Sequence, residues 1–279
     1  MLLELDSPIV VAAGGWRRHR CGESGRFATP GDGLASPPVS SLYPDTSPDP
    51  VSPAAVVQRW EALTFLHWRY PPEAVAAILP DGLEVDVFGG SAWVGLVPFR
   101  MVRVRPPWSP PLGPLTTFPE TNVRTYVRGP DGGVGVWFMS LDITRLLGVG
   151  VARTLFHVPY CWSSMRIEKD GGTLDYAATR RWPAPRGATS RVTVEPGEYV
   201  DPSDLTRFLT NRWRAYTTVG NGKPAFASVA HEPWRLRTAT VLEVEDELVS
   251  ACGLPKPDGP PLTHYAEGVS ARVGRLTPA

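Results

Sequence analysis

Turn signals set the grain of this chain. Pro80-Asp-Gly82, Pro130-Asp-Gly-Gly133, Lys169-Asp-Gly-Gly172 and Asn221-Gly-Lys-Pro224 punctuate it, and such glycine-containing turns reverse a strand rather than extend a helix. The segments between them are β-prone. Gln58–Trp68 is rich in aromatics, Leu83–Val87 alternates apolar and polar, and Ala92–Arg103 is a longer strand in which Pro98 marks an edge or a bulge. Asn122–Arg128 with Val134–Leu141, and Trp162–Glu168 with Thr173–Arg181, read as hairpins. Ala225–Ala230, Leu236–Glu243 and Val269–Leu276 read as further strands.

Helical signals are few. Pro71–Pro80 has proline in its first turn, and Asp142 is placed to cap a helix running to Leu155. Ser203 is placed to cap another through Trp213, and Glu245–Ala251 reads as a short helix stopped by Gly253. The expected fold is therefore α+β and β-rich: a closed or partly closed antiparallel barrel with a few short helices.

Residues 22–53 are dense in proline, glycine and serine, a composition that buries too little apolar surface to offset ordering entropy. Residues 1–54 are expected to form a disordered extension that adds nothing to the core, and residues 55–279 a single domain.

Composition narrows the function. The 28 basic and 28 acidic residues cancel, which argues against a nucleic-acid partner. No apolar run approaches the roughly 20 residues of a membrane-spanning helix. Cys21, Cys161 and Cys252 make neither a disulfide framework nor a paired metal motif, and Glu4 and Asp6 stand where a signal peptide would be basic. A cytoplasmic location is expected. His19, His67, His157, His231 and His264 have no ligand spacing, so neither a metal nor a cofactor is expected. No phosphate-binding glycine loop, nucleophile elbow or zinc-protease motif is present.

What remains is a polar set among aromatic strands. Strand alternation puts Asn122, Arg124 and Tyr126 on one face, with Glu120 just before them. Facing an apolar cavity, Arg124 would hold a carboxylate through paired hydrogen bonds, and Glu120 would orient it or exchange protons. The structural alternative is a Glu120–Arg124 pair closing a strand end. Asp142 reads as a helix cap before it reads as an acid, and His231 either lines the cavity or satisfies a backbone carbonyl.

These residues carry a resemblance. His67-Trp68, Leu79-Pro-Asp-Gly-Leu-Glu-Val85, Trp93-Val-Gly-Leu-Val-Pro-Phe99, Phe118-Pro-Glu-Thr-Asn-Val-Arg-Thr-Tyr126 and Trp137-Phe-Met-Ser-Leu-Asp142 follow one another in an order and spacing specific to one group. Pro159-Tyr160, Arg212-Trp-Arg-Ala-Tyr216 and His231-Glu-Pro-Trp234 continue it. Over residues 58–276 the chain resembles the YqjF-like family, a branch of the acetoacetate-decarboxylase-like superfamily. The resemblance implies a cone or barrel with an internal cavity.

It also implies a missing group. The decarboxylases form a Schiff base on a lysine that follows a proline, with a second lysine beside it. In Ala152-Arg-Thr-Leu-Phe-His-Val-Pro-Tyr-Cys161, Arg153 and Pro159 match the family pattern, while Tyr160 and Cys161 stand where the lysines would be. The only lysines, Lys169, Lys223 and Lys256, lie elsewhere. The family acid looks matched by Glu120.

The expected activity is binding, and transformation by acid–base chemistry, of a small carboxylate or carbonyl compound without an imine. Glu120 and Tyr160 are the expected catalytic groups, with Arg124, Tyr126, Arg153 and His231 binding substrate. The alternative is a non-catalytic fold that binds a ligand or another protein. A homo-oligomer is compatible with either.

Overall fold

The computed structural model describes residues 39–145, 157–220 and 222–279. Strands dominate, as the turn signals required. They are β1 (Val56–Tyr70), β2 (Glu84–Val85), β3 (Ala92–Arg105), β4 (Phe118–Arg128), β5 (Val134–Ile143) and β6 (Tyr160–Asp170) in the first part of the chain. β7 (Thr173–Trp182), β8 (Thr189–Tyr199), β9 (Arg214–Val219), β10 (Lys223–His231), β11 (Leu236–Asp246) and β12 (Leu262–Pro278) follow. All belong to one sheet. Helices are short, notably Pro72–Ala76 and Asp204–Thr210, and the second is capped by Ser203, whose Oγ accepts the Thr206 N–H at 3.1 Å.

The pairings trace two circuits that share a wall. One runs β1–β3–β4–β5–β9–β10–β12 and back to β1. The other leaves β5 through β6, β7, β8 and β11 and returns to β12. Strands β12, β1, β3, β4 and β5 therefore carry two inward faces. This differs from a purely antiparallel barrel, because β5 pairs with both β6 and β9 in parallel. Two strands escaped the reading of the sequence: β8, which carries Pro196 and Gly197, and β9, which is only six residues long.

The second circuit encloses the main apolar core, with Leu66, Trp68, Val94, Leu96 and Val123 of the shared wall packed on Leu174, Tyr176, Val192 and Val194. The opposite face of the same wall carries Leu63, Phe65, Val97 and Phe99, which pack with Leu236 and Trp234. Alternation along each strand separates the two sets. Pro98 lies in the middle of the sheet, not at an edge. It sits opposite the stretch where β1 loses register between Glu61 and Leu66, a bulge that accommodates the missing N–H.

Two expectations are corrected. Asp142 caps no helix: it is the penultimate residue of β5, fully buried, and bound to Arg180. The remainder of the expected helix, Leu146–Leu155 with Arg153, lies outside the described residues. The folded domain also takes in residues before 55. Tyr43, Val51 and Ala54 are buried, and the Tyr43 hydroxyl donates to Asp86 at 2.9 Å. A proline- and serine-rich stretch can still dock when a few apolar residues find sites and backbone carbonyls find donors. Trp213 Nε1 bonds the Pro44 carbonyl and Arg272 Nε the Val51 carbonyl.

Candidate functional site

On β4, Glu120, Asn122, Arg124 and Tyr126 share the face turned into the first circuit. Cross-strand register decides what they meet. Arg124 pairs with Gly95 on β3, and Gly95 with His67 on β1. The glycine leaves room that its two neighbours fill: a Cβ there would come within 3.0 Å of the His67 ring and 3.4 Å of Arg124 Cγ. One step along, His264 of β12 stands opposite Phe65.

Two groupings result. In the first, Asn122 and Tyr160 both hydrogen-bond Glu120, which is 2% exposed. Burial is the main cause that pushes its carboxyl up to about 8; these two bonds pull the other way, and Asp142 adds to the rise. Tyr160 is only half-buried as a residue, yet burial first, and the Glu120 charge second, hold its phenol well above the usual tyrosine range. Near neutral pH the carboxyl is therefore mostly protonated and the phenol uncharged.

In the second grouping, His67 Nε2 and the Tyr126 hydroxyl lie 2.6 Å apart. Burial, then the charge of Arg124, then His264 keep His67 far below its usual pKa, so the imidazole is neutral. Arg124 lies over the rings of Phe65 and Tyr126, its Cζ 5.4 and 5.9 Å from their centroids. It makes no ion pair among the described residues.

The expected Glu120–Arg124 pair is therefore absent. The two side chains share a face, but Asn122 separates them, and cation–π contacts stand in for a carboxylate beside Arg124. His231 takes the structural option weighed for it. Its Nδ1 is bonded to the Glu232 carbonyl at 2.6 Å, and its ring packs among Trp60, Trp213 and Trp234. Burial, helped by Arg124, lowers its pKa to about 4.

His67 and His264 join the site without having been singled out for it, and Asn122, expected on this face, had been given no role. The sequence signal for His67 was its place in the His67-Trp68 motif, and for Asn122 its parity with Arg124; His264 had none. The buried atoms Glu120 Oε2, Asn122 Oδ1, Arg124 Nε, His67 Nδ1 and His264 Nδ1 have no hydrogen-bond partner among the described residues. Orphaned polar atoms are rare in a folded interior, and their concentration on one face is the strongest mark of a site in this molecule.

Two other buried ionic clusters are mostly satisfied within the protein, although Arg212 Nη2 and, elsewhere, Asp246 Oδ1 also lack a hydrogen-bond partner among the described residues. Arg180 Nε and Nη2 grip Asp142 at 2.9 and 2.6 Å, with Ser140 and Ser163 completing the set on the opposite face of the wall. Asp86 takes Arg212, Arg128 and Tyr43.

Such a strand-dominated mixed sheet, with a polar strip on one face and a packed core on the other, has the acetoacetate-decarboxylase-like fold. An acetoacetate decarboxylase-like enzyme from Sphingomonas wittichii matches it with a TM-score of 0.58 at 12% identity, covering 83% of this chain and 95% of that one. The enduracididine biosynthesis enzyme MppR, complexed with pyruvate, matches with a TM-score of 0.54 at 13% identity, over 80% and 90% of the two chains. An acetoacetate decarboxylase from Legionella pneumophila gives 0.53 at 13% identity, over 88% and 97%.

Within that fold the chain belongs to the DUF2071 family, described as an uncharacterized conserved protein and matched over residues 57–270. The protein YqjF of Bacillus subtilis, described as uncharacterized, is 35% identical over 212 residues, which is 75% of this chain and 86% of that protein.

Proposed function

We propose that this protein binds a small carboxylate or carbonyl compound against the inner face of β4 and transforms it by proton transfer, with no imine and no cofactor. The observation that carries the reading is the set of unpartnered buried atoms. Arg124 Nε is an N–H donor. If Tyr126 gives its proton to His67 Nε2, Nδ1 of the neutral imidazole is a second. A ligand oxyanion satisfies both. Glu120 Oε2 and Asn122 Oδ1 face the ligand's other polar end.

Chemistry follows from the Glu120–Tyr160 pair. A carboxyl with a pKa of about 8 holds a proton near neutrality and can give it up and recover it. Burial withholds the water that would compete. No lysine nitrogen stands on the strip to form an imine, since Lys169, Lys223 and Lys256 are exposed and lie on other strands and loops. Because MppR is complexed with pyruvate, a small keto acid is the natural probe.

The test is a thermal-shift titration with pyruvate and acetoacetate, paired with NMR of solvent deuterium entering the pyruvate methyl group. The wild type should show a saturable rise in Tm and exchange. Arg124→Gln should lose the shift, whereas Glu120→Gln should keep it and lose exchange. Borohydride with acetoacetate should leave the protein mass unchanged. Binding without exchange would mark the non-catalytic alternative, and the absence of any saturable shift would defeat the reading.

A further inference from the structure

A cavity lies on the side of the shared wall away from the β4 strip, at one end of the second circuit. Its volume is about 530 Å³, within the range of small-molecule sites. Its floor is the end of the main core: Ala62, Ile167, Leu174 and Tyr265. The rim is charged because the inward positions change character there. Arg100 continues the alternation of Val94 and Leu96 on β3, and Lys169 stands opposite Leu174 across the β6–β7 pair. Where the core ends, cations take the positions that apolar residues hold inside.

Most of the rim charge is spent within the protein. Arg59 pairs with Glu61 at 2.9 Å, and Arg237 with Glu267 at 3.5 Å. Arg100, Lys169 and Glu195 also line the cavity and make no ion pair among the described residues. Two free cations against one free carboxylate leave a single net positive charge over an apolar floor.

The backbone adds a separate sign. Ala62, in the wall of this cavity, has φ of 50°, the left-handed region that a residue with a Cβ seldom enters. Its carbonyl is held by the Tyr176 hydroxyl at 2.8 Å, and Thr64 Oγ1 donates to that hydroxyl in turn at 3.0 Å. Conformations of this kind persist where surrounding structure enforces them, and they gather at ligand sites.

We propose that this cavity is a second binding site, independent of the β4 strip, for a small amphiphilic monoanion: a carboxylate with a short apolar tail. The carboxylate lies between Arg100 and Lys169, and the tail lies on Leu174, Ile167 and Tyr265. Both cations are exposed, so replacing them leaves the fold intact.

Octanoate is the probe, titrated calorimetrically into the full-length chain, with 1-octanol as its uncharged counterpart. Octanoate should bind saturably. Arg100→Ala combined with Lys169→Ala should weaken it about tenfold, as two partly screened ion pairs would. Arg124→Gln, which disables the β4 strip, should change it less than twofold, and 1-octanol should give no saturable signal. The proposal is overturned if octanoate does not bind, if the double variant binds it unchanged, if Arg124→Gln abolishes binding, or if 1-octanol binds as well as octanoate.

Discussion

His67 and Tyr126 meet at 2.6 Å although β3 lies between the strands that carry them. The His67 ring has room to cross because β3 presents Gly95 between His67 and Arg124, the residue two before Tyr126 on β4. The pair fixes the ring of His67, which also stacks on Phe65 with centroids 6.3 Å apart and planes 11° from parallel. Tyr126 is held in turn, with Arg212 Cζ 4.8 Å from its ring centroid. The donor side of the strip is thus built before any ligand arrives.

That arrangement makes Gly95→Ala destabilising despite the better strand propensity of alanine. The new methyl would press on His67 at 3.0 Å, and the histidine has no slack to give. The expected loss is about 1–2 kcal/mol by urea denaturation. In a His67→Ala background the same substitution should be close to neutral. An equal cost in both backgrounds would show that the imidazole is not what the methyl meets.

A chain beginning at Val56 should melt well below the full-length protein. It lacks Tyr43, which is 4% exposed and lies 4.4 Å under the Arg212 guanidinium, and it lacks the buried Val51. A fall on the order of 5–10 °C is expected from losing that packing. Coincident melting curves would mean that residues 43–54 dock without stabilising.

Local patterns made the strands legible. Hairpins β4–β5 and β6–β7 follow from Asp-Gly-Gly turns and alternation, and the face shared by Glu120, Asn122 and Arg124 follows from parity alone. Register was not legible, and it decided the rest. Nothing near His264 indicates that β12 will set it beside Phe65, and nothing near Asp142 indicates that Arg180, 38 residues away, will claim it. A cap and a buried ion pair look alike until the partner strand is known. The Glu120–Arg124 pairing failed for a related reason: two residues on one strand face can each find a better partner on another strand.

Stability should depend on pH through Glu120 in a direction opposite to most carboxylates. Its carboxyl is raised from 4.5 to about 8 on folding. Between those values the folded chain keeps a proton that the unfolded chain releases, so stability falls as pH rises across that window. His67, His231 and His264 act the other way. Their pKa values are lowered from 6.5, so the unfolded chain binds more protons below that value, and stability rises as pH climbs towards it. The two effects overlap in the wild type, which hides each of them. Glu120→Gln separates them, because glutamine keeps the shape and most hydrogen bonds but does not titrate. Measured by urea denaturation at pH 5 and pH 8, the variant should gain on the wild type by on the order of 3 kcal/mol between the two. A difference that stays constant with pH would mean that the Glu120 carboxyl titrates normally, and the proton it is proposed to hold for chemistry would not be there.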